Sequence, residues 1–345
     1  MPRAKSHETK KVRSMPIPLS ILDLAPIAPG GTARESFAAS VLLAQTAEKH
    51  GYRRVWYAEH HNMPTIASSA TSILIGHVAA QTGTIRLGAG GIMLPNHAPL
   101  TIAEQFGTLE ALYPGRIDLG LGRAPGSDQN TMRAMRRDAM SSDQFPQDVL
   151  ELQAYLRGES LIPGVQAVPG SGSNVPLYIL GSSLFGAQLA AALGLPYAFA
   201  SHFAPDALHD AVATYRRDFE PSAQLAEPHV IVGVNVIAAE DEADAVLQFE
   251  TTRRARVRGM ISRGPGSPDY SDEQIDAFLT TPDGLRLAGM MRYSAVGTPD
   301  AVRRYLEEFA VSAQADELIV AHQSQSIADR LRSVELTAEA MLGGN

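Results

Sequence analysis

The most constraining feature of this chain is a rhythm: short apolar runs rich in β-branched residues alternate with segments of helical periodicity along its whole length. The runs fall at Ile17 to Leu24, Val55 to Ala58, Ile85 to Ala89, Ile117 to Leu121, Leu177 to Leu180, Tyr197 to Ala200, Val230 to Ile237 and Leu318 to Val320. The helices between them carry their own punctuation. In the first, predicted over Thr32 to His50, Thr32 and Glu35 have the spacing of a capping box, Phe37, Val41 and Ala44 share a stripe, and Gly51 can supply the left-handed stop. Others are predicted from Ser69 to Ala80, from Pro99 to the Pro114-Gly115 terminator, and from Leu184 to Leu193. Parallel strands need helical crossovers, and eight of them close a sheet. The pattern therefore predicts an α/β fold, a (β/α)8 TIM barrel in one domain, where the length of 345 residues alone would also suit two.

Two intervals are longer than the repeat requires, Arg123 to Val175 and Ala238 to Gly297. Loops that follow barrel strands build the catalytic rim, so both are read as insertions on the catalytic face that select substrate. From Arg258 to Met291 the chain holds Gly259, Gly264, Gly266 and Gly284 with Pro265, Pro268 and Pro282. That composition excludes one long helix and predicts a mobile lid.

Composition removes several functions. With 45% hydrophobic and 19% charged residues the chain must bury a large core. Lys and Arg total 29 against 37 Asp and Glu, a net charge of −8, so no nucleic-acid partner is expected. Cysteine is absent, which excludes thiolate nucleophiles and cysteine-bound metals. No apolar run reaches the about 18 residues of a spanning helix, and a cytoplasmic location without a membrane partner is expected. Residues 1–14, with Arg3, Lys5, Lys10, Lys11 and Arg13 and little to bury, read as a mobile tail ahead of a single domain over 15–345.

Chemistry concentrates at strand ends. Glu59-His60-His61 closes the second strand, where neighbouring side chains point to opposite sides. One histidine should face the mouth, and the two are poorly disposed to share a metal, so no metal site is predicted. Three glycine-rich segments fail the dinucleotide and phosphate-loop fingerprints. The third glycine of one falls at Met93, Pro125 takes its place in another, and Gly181-Ser182-Ser183-Leu184-Phe185-Gly186 continues with Ala187-Gln188 rather than Lys and Ser or Thr. Phe185 also spoils a nucleophile elbow. Ser182 and Ser183 nevertheless precede a helix whose first-turn N–H groups are free, and with Gly186 they form a candidate phosphate-holding segment. Arg123, closing the fourth strand, could supply the counter-charge, or else simply pair with an acid such as Asp128.

These segments resemble those of the bacterial luciferase-like flavin-dependent monooxygenases. The matching stretches are Trp56 to His61, Gly88 to Pro95, Gln105 to Leu109 and Gly115 to Arg123, with Val296 to Pro299 before the last helices. Ala58 to Pro64 (Ala-Glu-His-His-Asn-Met-Pro) and Gly122 to Gly126 (Gly-Arg-Ala-Pro-Gly) are most similar to the non-luminous branch. The resemblance implies that His60 acts on the oxygen adduct of the flavin and that Gly90-Gly91 is a non-proline cis peptide lying against the flavin ring. It further implies that Arg123, Ser182 and Ser183 hold the FMN phosphate, although the first serine departs from the acidic residue of the luciferase catalytic subunit. The implied activity uses reduced FMN, supplied by a separate reductase, and dioxygen to form a flavin 4a-hydroperoxide that oxidises a small organic substrate. A homodimer is also implied. Two other readings stand beside it: a deazaflavin-dependent oxidoreductase, and a non-catalytic flavin-binding protein, against which a titratable His60 beside the ring argues.

Overall fold

A computed structural model describes residues 17–124, 128–262, 268 and 270–343; the predicted tail and Gly264 to Gly266 lie outside the described residues. Nine strands form, β1 (Leu19–Asp23), β2 (Arg54–Tyr57), β3 (Arg86–Met93), β4 (Ile117–Gly122), β5 (Leu177–Gly181), β6 (Tyr197–Phe199), β7 (Val230–Ala238), β8 (Ser294–Gly297) and β9 (Glu317–His322). They pair in the order β6-β5-β4-β3-β2-β1-β9-β7-β8, and a further β6–β7 pairing closes eight of them into a ring with β8 outside it. Every ladder is parallel. This is the (β/α)8 barrel that the alternation predicts.

The ninth strand is the departure from expectation. Strand β7 is long enough to serve two partners in succession: Val230 to Val232 pair with β6, and Asn235 to Ala238 pair with β8. Ser294-Ala-Val-Gly is too short and weakly apolar to be told from loop by pattern, and it falls inside the interval predicted as an insertion. The other insertion is smaller than predicted. Its segment Phe145–Arg157 is the barrel's own fourth helix, burying Phe145, Val149, Leu152 and Leu156 against the helix Pro99–Leu112. Only the helix Gln129–Ala134 and a 3-10 turn at Ala139–Gln144 are additional. In the later interval, helices at Glu242–Ile261, Asp272–Leu279 and Pro282–Gly289 pack together through Val257, Ile275 and Leu279.

The pleat sorts residues between two cores. Leu19, Ile21, Val55, Tyr57, Leu87, Leu119 and Leu121 face the surrounding helices. Leu22, Trp56, Ala58, Tyr178, Ala198, Ile231 and Ile319 fill the barrel axis. Below them, at the end where the strands begin, the axis carries charge instead. Arg54, 1% exposed, donates to Asp118 Oδ2 at 2.8 Å, to the Tyr178 hydroxyl at 2.7 Å and to Glu317 Oε2 at 3.1 Å. Ser20 donates to Glu317, and Arg86 Nε to Asp118 Oδ1 at 3.1 Å. Two guanidinium groups thus meet two carboxylates with nearly every donor and acceptor used.

Removing one partner of such a layer leaves like charges buried together. Arg54→Leu should therefore cost about 3–5 kcal/mol of stability. Arg53→Ala, which removes a 47% exposed arginine lying 3.3 Å from the same Glu317, should cost less than about 1 kcal/mol. Denaturant unfolding of both variants checks this, and similar small losses would show that the barrel does not depend on its ionic base.

Candidate active site

Along β2 the inward positions run Arg54, Trp56 and Ala58, and the next in the alternation is His60. The ladder persists beyond Tyr57, because the Glu59 N–H donates to the Gly91 carbonyl at 3.1 Å. Ser68 Oγ ties down the Ala58 carbonyl. His60 is therefore the histidine delivered to the barrel mouth, part-exposed at the catalytic end.

Glu59 and His61 turn the other way and build a clamp. The Glu59 carboxylate is 1% exposed and accepts from the Met93 N–H at 2.9 Å and from Asn96 Nδ2 at 3.1 Å. His61 Nε2 lies 2.8 Å from its Oε1, and His97 Nε2 lies 2.9 Å from its Oε2. Burial alone would raise this carboxyl, but the converging donors outweigh it and hold the pKa at about 2. The same hydrogen bond raises the pKa of His61, against the opposing effect of burial. The two histidines thus divide their work, one inward and one in the clamp. Among the described residues no cluster of metal ligands forms.

Strand β3 brings bare backbone beside His60. The Gly90–Gly91 peptide is cis, and the pairing of β3 with β4 shifts register between Ala89 and Ile92. A Cβ on Gly90 would stand 2.9 Å from Trp56 Cβ and 3.1 Å from Leu22 Cδ1, and one on Gly91 would stand 2.8 Å from the Gly120 carbonyl oxygen. Only glycine leaves this surface flat.

The next two strand ends meet through an aromatic ring. Arg123 follows β4, and its guanidinium carbon lies 4.2 Å from the ring centroid of Phe185, in the first turn of the helix Leu184–Leu193. That stacking holds it over the first turn of the helix that Ser182 and Ser183 lead into from β5. Asp128 is occupied elsewhere: it accepts the N–H groups of Asn130 and Thr131 at 2.9 and 3.1 Å and the Asn62 amide at 3.1 Å. Among the described residues Arg123 is paired with no carboxylate. Ser183 has extended N-cap geometry, yet its hydroxyl makes no capping bond. Gly186 is buried, and a Cβ there would lie 3.4 Å from the Gly181 Cα, so its part is to let the first helical turn sit close on β5.

His97, His202 and the clamping role of Glu59 escaped the sequence reading. Glu59 was read only as part of the strand end Glu59-His60-His61, and His97 lay in Pro95-Asn96-His97, which signalled only the lack of a helix start. His202, just beyond β6, lies against Gly233 of β7, where a Cβ would stand 2.3 Å from its Nδ1. Burial first, then the charges of Arg256 and His60, push its pKa down to about 3, so the ring is neutral. Its position at a strand end was the available signal.

A family model described as luciferase-like monooxygenase matches residues 17–317. The chain belongs to this family. A luciferase-like monooxygenase of Escherichia coli K12 is 50% identical over 94% of this chain and 96% of its own length. The N-acetyl-S-alkylcysteine monooxygenase of Bacillus subtilis is 31% identical over 94% of this chain and 98% of its own. The crystal structure of apo-MsnO8 superposes with a TM-score of 0.82 at 36% identity, covering 94% of this chain and 98% of that one.

For this luciferase-like chain the clamp makes a pH prediction. Glu59 is held below its ordinary 4.5, so its contribution is present above pH 4.5 and lost as pH falls toward about 2. His61 is raised above 6.5, so its contribution is present below pH 6.5 and lost as pH rises through the raised value. Glu59→Gln should flatten the fall in thermal stability above pH 6.5. A parent-like slope in the variant would remove Glu59 as the partner of His61.

Proposed function

We propose that this luciferase-like monooxygenase binds reduced FMN delivered by a separate reductase and uses dioxygen to oxidise a small organic substrate. One observation carries the reading. Four consecutive strand ends present, in order, His60 after β2, the flat Gly90–Gly91 segment of β3, Arg123 after β4, and Ser182 and Ser183 after β5. That is a proton-carrying group, a surface for a planar ring, and a cation with hydroxyl and N–H donors for a phosphate, within the arc of one flavin mononucleotide.

The residues fit the cofactor on their own chemistry. Arg123 has a planar fork suited to two phosphate oxygens, and no carboxylate competes for it among the described residues. The unused Ser183 hydroxyl and the first-turn N–H groups complete the anion site. Bound there, reduced FMN supplies the two electrons that activate dioxygen. His60 is placed to hold or deliver a proton at the reacting oxygen. Leu22, Trp56 and Ala58 beneath it keep the floor of the mouth dry. No segment fits a nicotinamide fingerprint, which supports an external reductase. The name of the 31% identical relative makes thioethers one substrate class to test.

Mixing the protein with reduced FMN and then oxygen in stopped flow should give a long-lived transient absorbing in the near ultraviolet. Its absence with FMN, together with tight binding of a deazaflavin, would overturn the reading. Arg123→Ala should weaken reduced FMN by about 10- to 100-fold and reduced riboflavin much less, the loss expected for two charge-assisted hydrogen bonds.

We also propose a homodimer. Neighbouring helices Ala33–Lys49, Thr71–Ala79 and Pro99–Leu112 leave Leu42, Ile73 and Leu112 exposed by 49%, 74% and 63%. Exposed apolar side chains on three adjacent helices are the kind of surface a second copy could cover. Light scattering at micromolar concentration should give twice the chain mass, and Ile73→Glu should halve it.

A further inference from the structure

The helix Glu242–Ile261 follows β7 on the catalytic side. Its face toward the barrel carries Ala245, Phe249, Thr252 and Arg256, spaced as one side of a helix requires. Thr252 Oγ1 donates to the Gln323 carbonyl at 3.0 Å, just past β9. Gln323 Nε2 in turn donates to Asn235 Oδ1 at 3.0 Å, and Asn235 Nδ2 to the His202 carbonyl at 2.8 Å. This chain of amides fixes the helix over His202, and Arg256 stands one turn beyond Thr252 on the same face.

Arg256 differs from the other arginines around it. Arg253 pairs with Glu250, Arg254 makes a two-pronged pair with Asp276 at 2.7 and 2.9 Å, and Arg258 pairs with Asp272. Arg256 has no carboxylate among the described residues, and it is only part-exposed. Burial pulls its pKa down, as for a cation taken from water without compensation. Across the mouth from it, and within reach of its charge, the buried His202 Nδ1 has no hydrogen-bond partner among the described residues. A desolvated cation with no carboxylate is costly to the folded protein unless something else brings the negative charge.

The cofactor phosphate already has a cation. Arg123 follows β4, three strands round the ring from β7, whereas His202 follows β6 and lies against Gly233 of β7, one residue past the end of the β6–β7 ladder and so toward the reacting end. We propose that Arg256, assisted by His202, is an anion-recognition site for the substrate, which is a small organic acid held by its carboxylate with its oxidisable end toward His60. The substrate assignment rests on the reading of the barrel mouth as the site of oxidation; the anion site itself does not.

The test uses equilibrium binding without oxygen, by calorimetry on the full chain. The probes are N-acetyl-S-methylcysteine, hexanoate and benzoate, each against its methyl ester. At least one acid should bind about 10- to 100-fold more tightly than its ester, as a charge-assisted pair with a planar fork provides. Arg256→Met should abolish that preference, leave the affinity for reduced FMN unchanged, and melt no lower than the parent, since it removes an unpaired charge. Arg256→Lys should restore part of the preference. No acid-over-ester preference in any pair would overturn the proposal, as would equal weakening of acid and ester in Arg256→Met. Selective loss of reduced FMN relative to riboflavin in that variant would also overturn it, by assigning Arg256 to the cofactor. If the acid preference holds while no transient forms with oxygen, the anion site stands and the monooxygenase reading falls.

Discussion

Closing eight parallel strands forces every second residue of each strand onto one narrow axis, and nearly everything in this molecule follows from what is put there. Strand β2 shows the whole sequence in four steps: Arg54 in the ionic base, Trp56 and Ala58 in the apolar middle, His60 at the mouth. A slip of one residue would send Arg53, Val55, Tyr57 and Glu59 inward and leave both the base and the mouth without their chemistry. Register is thus held from both ends, by Arg54 between Asp118 and Glu317 below and by Glu59 in its histidine clamp outside.

Space on the axis is as consequential as charge. Strand β3 contributes almost no side-chain volume at the points where its neighbours contribute most: a Cβ on Gly88 would lie 2.5 Å from the Asp118 carbonyl oxygen and 3.0 Å from Trp56 Cδ1. Gly90 gives way to the same indole one layer higher. The tryptophan can therefore fill the axis and donate to Asp118 Oδ2 at 3.1 Å, while the backbone above it stays flat. Core packing and a surface fit for a planar ring are consequences of the same glycines.

Much of this was legible in the sequence, and the limits are physical ones. Eight strands were readable because buried parallel strands are continuous apolar runs, and Arg123 and Ser183 because each ends one of those runs. The cis peptide came from resemblance, since no pattern of residue types distinguishes it. Strand β8 was illegible because four residues carry no period, and the helix Phe145–Arg157 was hidden in an interval whose length suggested decoration. The clamp of Glu59 by His61 and His97, and the placing of Arg256 over His202, depend on contacts between residues far apart in the chain. A one-dimensional reading sees such residues as separate charges, with no means of telling which are paired.

That pairing is what separates the two ends of the barrel. At the base, Arg54 and Arg86 are matched by Asp118 and Glu317, and the group is closed and self-sufficient. At the mouth, Arg123 rests on an aromatic ring and Arg256 is desolvated on the inner face of its helix, each without a carboxylate among the described residues. This occurs in a chain with a net charge of −8, which has acids to offer. A protein can neutralise a cation from within or leave it for a ligand; the first choice stabilises the fold, and the second gives up stability to hold a charge in readiness. In a barrel whose bottom serves the fold and whose top serves chemistry, the uncompensated cations on two sides of the mouth are the places where anionic groups from outside would complete the structure.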